Sequence, residues 1–338
     1  MTRHEELKEI LEKKQYFKLV CGAGNEDPEE VYKLVLVYAL AGGNGMDMSA
    51  NVDVVKAAVK AIDKAYELAP TLGVEIKNRP FLMVSIGLKG DPHVQKARIL
   101  RENCTDCGAC MAVCNQQAIE ANADGETTII PSRCIGCNDC YDACNFEAIE
   151  FYHKKVDPES VLPQCLEAGA ENIELHAVTL DDESVLAQWE LVNKLVPDNF
   201  ISMCLDRKLL SNDHLIQRIS KAYELAGERT VIQADGVPMS GGKDDFNTTL
   251  QTIAIADIVQ KSGIPVKILA SGGTNNLTGK LAKQCRVTIH GSAIGTFARN
   301  KIKEYITQDN FENEPELIKA AVKAARELIN NNLEYMHD

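Results

Sequence analysis

The chain has 338 residues, 45% hydrophobic and 25% charged, the make-up of an ordinary globular protein with room for a sizeable core. Its formal net charge of −13 argues against nucleic acid and anionic membranes as partners, and its single Trp189 offers no stacking surface for single strands. No apolar run approaches the roughly 20 residues of a membrane helix, and the opening MTRHEELKEILEKKQ reads as a charged helix without a leader-like apolar core, so no membrane span and a cytoplasmic location are expected.

After that helix, short apolar β-rich runs alternate with segments of helical period. The predicted strands are 17–21, 45–49, 81–86, 172–177, 200–205, 230–234, 266–270 and 287–290. Between them lie amphipathic stretches such as 52–69, where Val55, Val59, Ile62 and Tyr66 form one predicted stripe. Several open at an Asp or an early Pro, as at Asp27–Pro28, and close at Gly, as at Gly227. Eight strands, each followed by a helix, predict an α/β fold of the (β/α)8 TIM-like barrel class, with a doubly wound open sheet as the alternative. The alternation breaks once, after the third strand. The predicted organisation is therefore a barrel from 1–97 and 154–338 with an insertion over 98–153. An expanded loop at that place belongs at the C-terminal face, where barrel sites lie.

The insertion carries the strongest motif in the chain. It reads CTDCGACMAVC, nineteen further residues, then CIGCNDCYDAC, each copy being C-x2-C-x2-C-x3-C. This is the ferredoxin spacing for a two-[4Fe-4S] module. Three thiolates two residues apart reach three irons of one cube, and the fourth, at the start of a helical turn, points to the other cube. Cys104, Cys107, Cys110 and Cys144 are thus assigned to cluster one, and Cys134, Cys137, Cys140 and Cys114 to cluster two. Zinc knuckles are the alternative, but they pair separated C-x2-C units and do not use three cysteines in one run. The residue after the fourth cysteine is Asn115 or Asn145, where Pro is usual, and a polar side chain there is expected to raise the potentials or admit oxygen. From Arg98 to Tyr152 there are three Arg and nine Asp or Glu, a net charge of −6, so an electron partner is expected to present a basic docking face.

Two glycine-rich segments after the seventh and eighth predicted strands, ASGGTNN at 270–276 and HGSAIGTFAR at 290–299, occupy the place where barrels grip a phosphate. Gly272, Gly273, Gly291, Gly295 and Arg299 are the candidate cofactor-binding residues, for FMN or another phosphate-bearing ligand. The plainer reading is that these glycines only make tight turns. Other polar residues fall near predicted strand ends: Asp47, Ser49, Ser85, Glu174, His176, Cys204, Asp206, Gln233 and Asp235, then a loop over 236–242 able to close on a ligand. Glu174, His176 and Asp235 are the weak catalytic candidates. Asp47, Ser85 and Asp206 read as layer residues or caps. Of the four cysteines outside the repeats, Cys165 and Cys285 are expected in the core, as small hydrophobes, and Cys21 and Cys204 either there or facing the pocket.

FKLVCGAG at 17–24, RPFLMVS at 79–85, GDPHVQKA at 90–97, ELHA at 174–177, QADGVPMSGG at 233–242 and the SGGTN…GSAIGTFAR pair resemble the LdpA family over almost the whole chain. The resemblance implies an iron–sulfur protein acting as a redox sensor that passes the cell's electron balance to a clock, and it supports the eight cluster cysteines position by position. It implies no catalytic set. Three functions follow: electron transfer or redox sensing; an iron–sulfur flavoenzyme or reductase acting on a barrel ligand, an oxidoreductase if it is an enzyme; and a cluster-carrying subunit of a larger redox complex.

Overall fold

A computed structural model of the chain describes every residue except 89–90, 92–93, 155, 237–244 and 337–338. Local signals set where the helices start and stop. Thr2 and Glu5 form a reciprocal capping box on Arg3–Glu12. Asp27 caps Pro28–Ala41, with the proline in the first turn, and Asn51 caps Val52–Leu72. Left-handed Gly42 and Gly73 end those two helices. In Val52–Leu72 the buried face runs through Val55, Ala58, Ile62 and Ala65, whereas Tyr66 is 41% exposed. The small alanines let this helix lie close on the barrel, which turns the predicted stripe away from Tyr66.

Among the described residues twelve strands form: β1 Tyr16–Gly22, β2 Gly45–Ser49, β3 Phe81–Gly87, β4 Gln95–Ile99, β5 Ile119–Ala121, β6 Thr127–Ile129, β7 Ile149–His153, β8 Asn172–His176, β9 Ile201–Leu205, β10 Thr230–Asp235, β11 Lys267–Ser271 and β12 Gly291–Ile294. Eight of them close a parallel barrel in the order β1-β12-β11-β10-β9-β8-β3-β2. The open-sheet alternative is thereby excluded, because β1 pairs with both β2 and β12. Arg3–Glu12 plugs the N-terminal end: Leu7, Ile10 and Leu11 pack with Tyr16 and Phe81 at the starts of their strands and with Phe200 just before β9. That seal leaves the opposite end as the open one.

One strand lies later than its predicted place. The eighth was expected over 287–290 and begins at Gly291. His290 exchanges hydrogen bonds with Ile268, donating its backbone N–H to the carbonyl and accepting on Nδ1, so those residues turn the chain instead of extending it. A Cβ on Gly291 would stand 2.2 Å from the Tyr16 carbonyl, so only glycine admits the close approach to β1. A further helix, Thr296–Ile306, follows β12 and carries Arg299.

The interruption between β3 and β8 is a small module of its own. β4 and β7 form an antiparallel ribbon and β5 and β6 a hairpin, around a minor core that includes Ala97, Ile119, Cys134, Cys140 and Ile149. Among the described residues no helix is long and apolar enough to cross a membrane.

Candidate functional site

The two cysteine repeats are built alike at the backbone. Left-handed residues recur at the same offsets: Asp106 with Gly136, Gly108 with Asn138, and Gln117 with Glu147. Each repeat turns at the second of these into a short helix, Ala109–Val113 or Asp139–Asp142, and its fourth cysteine follows. The amide of Ala118 donates to Cys114 Sγ at 3.3 Å, and that of Ala148 to Cys144 Sγ at 3.4 Å. Ala97 adds a third amide, donating to Cys134 Sγ at 3.3 Å. Amides aimed at sulfur stabilise thiolate charge and raise a cluster's potential.

The donor set fits iron–sulfur cubes. Cys114, Cys134, Cys137 and Cys140 line one small cavity. Burial pushes the Cys137 thiol up to about 11 and the Cys140 thiol up to about 12, with neighbouring thiols adding to the shift. Thiols that resist ionisation alone are held as thiolates by a metal. Asn115 and Asn145 are both exposed, so neither side chain fills the cavity.

Ile135, beside Cys134, also forms the wall of a second cavity at the open end of the barrel, with Gly22, Glu174, His176, Cys204, Asp235, Gly272 and Arg299 among the lining. Its floor is a buried polar network that begins with Lys18. The Lys18 ammonium lies 3.2 Å from Asp47 Oδ2 and donates to Glu174 Oε2. Ser202 Oγ donates to the same Glu174 oxygen at 3.2 Å, and Gln233 Nε2 to Ser202 Oγ at 3.4 Å. Gln233 Oε1 is buried without a hydrogen-bond partner among the described residues. Ser85 donates to the other oxygen of Asp47. His176 sits between two carboxylates, Nδ1 at 3.1 Å from Asp91 and Nε2 at 3.2 Å from Glu174 Oε1.

Charges in this network are set by neighbours working against burial. Burial alone would neutralise Glu174, but Lys18 and His176 together hold its carboxyl down at about 2. Burial also opposes an imidazolium at His176, and Asp91 and Glu174 outweigh it, raising that group well above its usual range. Asp47 competes with Glu174 for Lys18, and burial wins there, so its carboxyl is raised to about 6. Glu174 is therefore the fixed anion and Asp47 the member that takes a proton readily.

Glu174, His176 and Asp235 meet in one cavity, with Gly272, Gly273, Gly295 and Arg299 on its rim. Gly291 does not join them. It is the first residue of β12, at the sealed end, so its assignment to a phosphate grip is corrected by the shifted strand. Arg299 is 5% exposed, and its Nη1 donates to the carbonyls of Val20 and Cys21 at 3.3 and 2.7 Å, which commits much of the guanidinium to β1. A Cβ on left-handed Gly272 would stand 1.5 Å from Asp235 Oδ1, so that glycine makes room for a carboxylate. Asp206 accepts from the Lys208 amide at 3.0 Å, a local turn contact. Cys21 and Cys165 are buried, Cys204 is buried and lines the cavity, and Cys285 is exposed at the end of its helix, against its expected place in the core. The expected closing loop at 236–242 falls almost wholly outside the described residues.

Sequence reasoning missed Lys18, Asp91, Ser202 and Lys96. Lys18 had a signal: it stands second in the otherwise apolar run FKLVC, at the parity that faces the barrel interior. Lys96 shows only in three dimensions, where its ammonium donates to Cys134 O at 2.8 Å and to Gly24 O, tying the second repeat to the loop after β1. A larger cavity, about 540 Å3, lies beside this tie and is lined by Gly24, Glu26, Ser85, Leu88, Lys96 and His153.

Residues 165–331 match the family model described as the Light dependent period A C-terminal domain, and residues 91–149 match a 4Fe-4S dicluster domain. The chain is 30% identical over 363 aligned positions to "Light dependent period A" of Synechococcus elongatus, covering 95% of this chain and 92% of that protein. A putative fructose-1,6-biphosphate aldolase from Coccidioides immitis shares the barrel fold at TM-score 0.52 and 9% identity, over 97% of this chain and 96% of that one. The YdjI aldolase of Escherichia coli K12 aligns at TM-score 0.49 and 8% identity, over 96% and 95%. The first of these two likenesses speaks to fold alone. With the dicluster cysteines set into a closed barrel, and a relative aligned along nearly all of both chains, this protein belongs to the Light dependent period A family of iron–sulfur proteins.

Proposed function

We propose that the chain is an electron-transfer or redox-sensing protein with two [4Fe-4S] clusters, the second of which reports its oxidation state to the mouth of the barrel. Electrons enter through cluster one, held by Cys104, Cys107, Cys110 and Cys144, and pass to cluster two, held by Cys134, Cys137, Cys140 and Cys114. The observation that carries this reading is the shared wall: Ile135 borders both the cavity of the second cysteine set and the cavity above Glu174 and His176. A cubane takes up and releases a single electron, so reduction adds one negative charge behind that wall. Lys96 and Arg299 are the cations that face it. Lys96 holds Cys134 and Gly24 together, and Arg299 feels the Cys137 sulfur and grips the end of β1. The loop after β1 is thus the element that answers.

Entry from outside suits an acidic surface. Glu102, Asp106, Glu120, Asp124, Asp142 and Glu147 of the module are exposed, and so are its Met111, Tyr141 and Phe146. A basic redox protein, steered by charge and making apolar contact with these side chains, fits the module.

Hydrogen exchange on anaerobic protein tests the proposal. Amides of residues 22–26 and 272–274 are expected to exchange at different rates in oxidised and dithionite-reduced protein. The difference should vanish in Lys96→Met with both clusters intact. Equal exchange in the two states of the parent protein would sink the idea. A second reading, a reductase acting on a ligand in the barrel, draws on the charged floor of Lys18, Glu174 and His176. The cavity above that floor measures about 90 Å3, which favours a small ligand over FMN. Released flavin, or turnover lost in Glu174→Gln with clusters retained, would move the assignment to this second reading.

A further inference from the structure

Glu174, His176 and Cys204 come together at the base of the mouth cavity, each offering one ligand atom, and those three atoms lie within 4.8 Å of one another. Their strands make this convergence unavoidable. His176 on β8 is the direct lateral partner of Cys204 on β9, and Glu174, two residues earlier, faces the same interior. The orientation of the imidazole is also set. Asp91 holds Nδ1 at 3.1 Å, which leaves Nε2 turned toward Glu174 Oε1 at 3.2 Å. A carboxylate behind a histidine is the arrangement that aims a metal-ligating ring and raises its basicity. Glu174 is likewise held from behind, since Lys18 and Ser202 occupy Oε2 and leave Oε1, which faces His176 Nε2, to coordinate through one oxygen.

We propose that Glu174 Oε1, His176 Nε2 and Cys204 Sγ bind a single divalent cation of the zinc class, separate from the iron of the clusters. The donor set selects the metal. Magnesium and calcium favour all-oxygen sites, whereas one nitrogen, one oxygen and one thiolate suit a borderline ion that accepts tetrahedral geometry. Three protein ligands leave a fourth position open to the cavity, as in zinc sites that bind water or a substrate oxygen. Asp235 stands beside the set: its Oδ2 accepts from the Cys204 thiol at 3.5 Å. Binding displaces two protons, one from the Cys204 sulfur and one from Nε2 of the His176 imidazolium. Two positive charges thus enter as two leave, and the buried network with Lys18 and Asp47 keeps its net charge. The site stands independently of the cluster relay, because none of its ligands is a cluster cysteine.

Zinc analysis on the holoprotein decides this, since zinc is read apart from iron. Anaerobically purified protein, incubated with zinc sulfate and dialysed, is expected to retain about one zinc per chain beyond its iron and sulfide, and zinc-edge X-ray absorption should show a single sulfur neighbour at about 2.3 Å. Cys204→Ala and His176→Asn should each weaken zinc retention by about tenfold or more while iron and sulfide stay at parent levels. No retained zinc, a zinc without sulfur, or retention unchanged in Cys204→Ala would overturn the proposal. Three or four sulfur neighbours would overturn it too, because the zinc would then occupy cluster cysteines. Should His176→Asn fail to fold, Cys204→Ala and the absorption edge still decide, as alanine fits a site built for a small buried thiol.

Discussion

The two cysteine repeats share spacing, left-handed turns and amide-to-sulfur bonds, yet they sit in different surroundings. In the first, Cys107 is exposed and Cys104 and Cys110 are half-buried. In the second, Cys134 and Cys140 are buried, and Ile135 and Lys96 press that half onto the barrel. The local chain is repeated, and docking makes the copies unequal. Solvent exposure and nearby charge both move cluster potentials, so on the two-cluster reading proposed above the two sites are expected to differ in potential and in oxygen tolerance. On the proposed function, the exposed half suits exchange with a partner, and the half against the barrel suits communication inward.

The sharpest way to break this contrast is to remove one cube at a time. Cys107→Ser and Cys137→Ser are each expected to lower iron from about eight to about four atoms per chain under anaerobic analysis. The cube that remains in Cys137→Ser should bleach faster in air than the one that remains in Cys107→Ser. Equal bleaching would mean that docking gives no protection.

Acid separates the barrel from both halves of the module. Asp47 has its carboxyl raised to about 6 from an ordinary 3.8, so its protonated form stabilises the fold, and that contribution is lost as pH rises through about 6. Between pH 5 and 7 the parent is expected to lose about 1 kcal/mol relative to Asp47→Asn, read from unfolding followed at Trp189. Glu174 acts in the opposite sense. Held at about 2, it contributes stability above its ordinary 4.5 that is lost only as pH falls toward 2, so it is silent in this window. Identical profiles for parent and variant would remove Asp47 as the proton-taking member.

The smallest effect tests whether the halves really are copies. Gly108 and Asn138 hold equivalent left-handed positions with φ of 75° and 72°. Around Gly108 a Cβ would meet nothing within 4 Å, so Gly108→Ala should cost about 1 kcal/mol, through backbone conformation alone. Asn138→Gly should change stability by only a few tenths of a kcal/mol, because asparagine already tolerates that region. Thermal melts of the two variants would reveal any asymmetry in the turns themselves.

Much of this molecule is legible in its amino acids, and the reason is periodicity. Strand and helix alternation follows from local burial patterns, and seven of the eight barrel strands lie within two residues of their predicted bounds. The cysteine runs are equally local, since ligand geometry on one loop dictates their spacing. The eighth strand escaped because Gly291 and Ser292 carry no apolar signal, while Val287 and Ile289 just before them do. Glu174 and His176 could be paired by parity on one strand. Their joining to Lys18, Asp91 and Cys204 could not be read that way, because it depends on barrel closure, which brings Lys18 and Glu174 together across 156 positions of chain. Docking of the second cysteine half is of the same kind. Lys96 reaches Gly24 across 72 residues of chain, and no local pattern encodes such a contact. Residue order along the chain thus determined the elements and the ligand loops, through short-range sterics and burial. Tertiary structure alone decided which charges share a cavity and which of two like cysteine repeats packs against the barrel, since both follow from packing between elements distant in sequence.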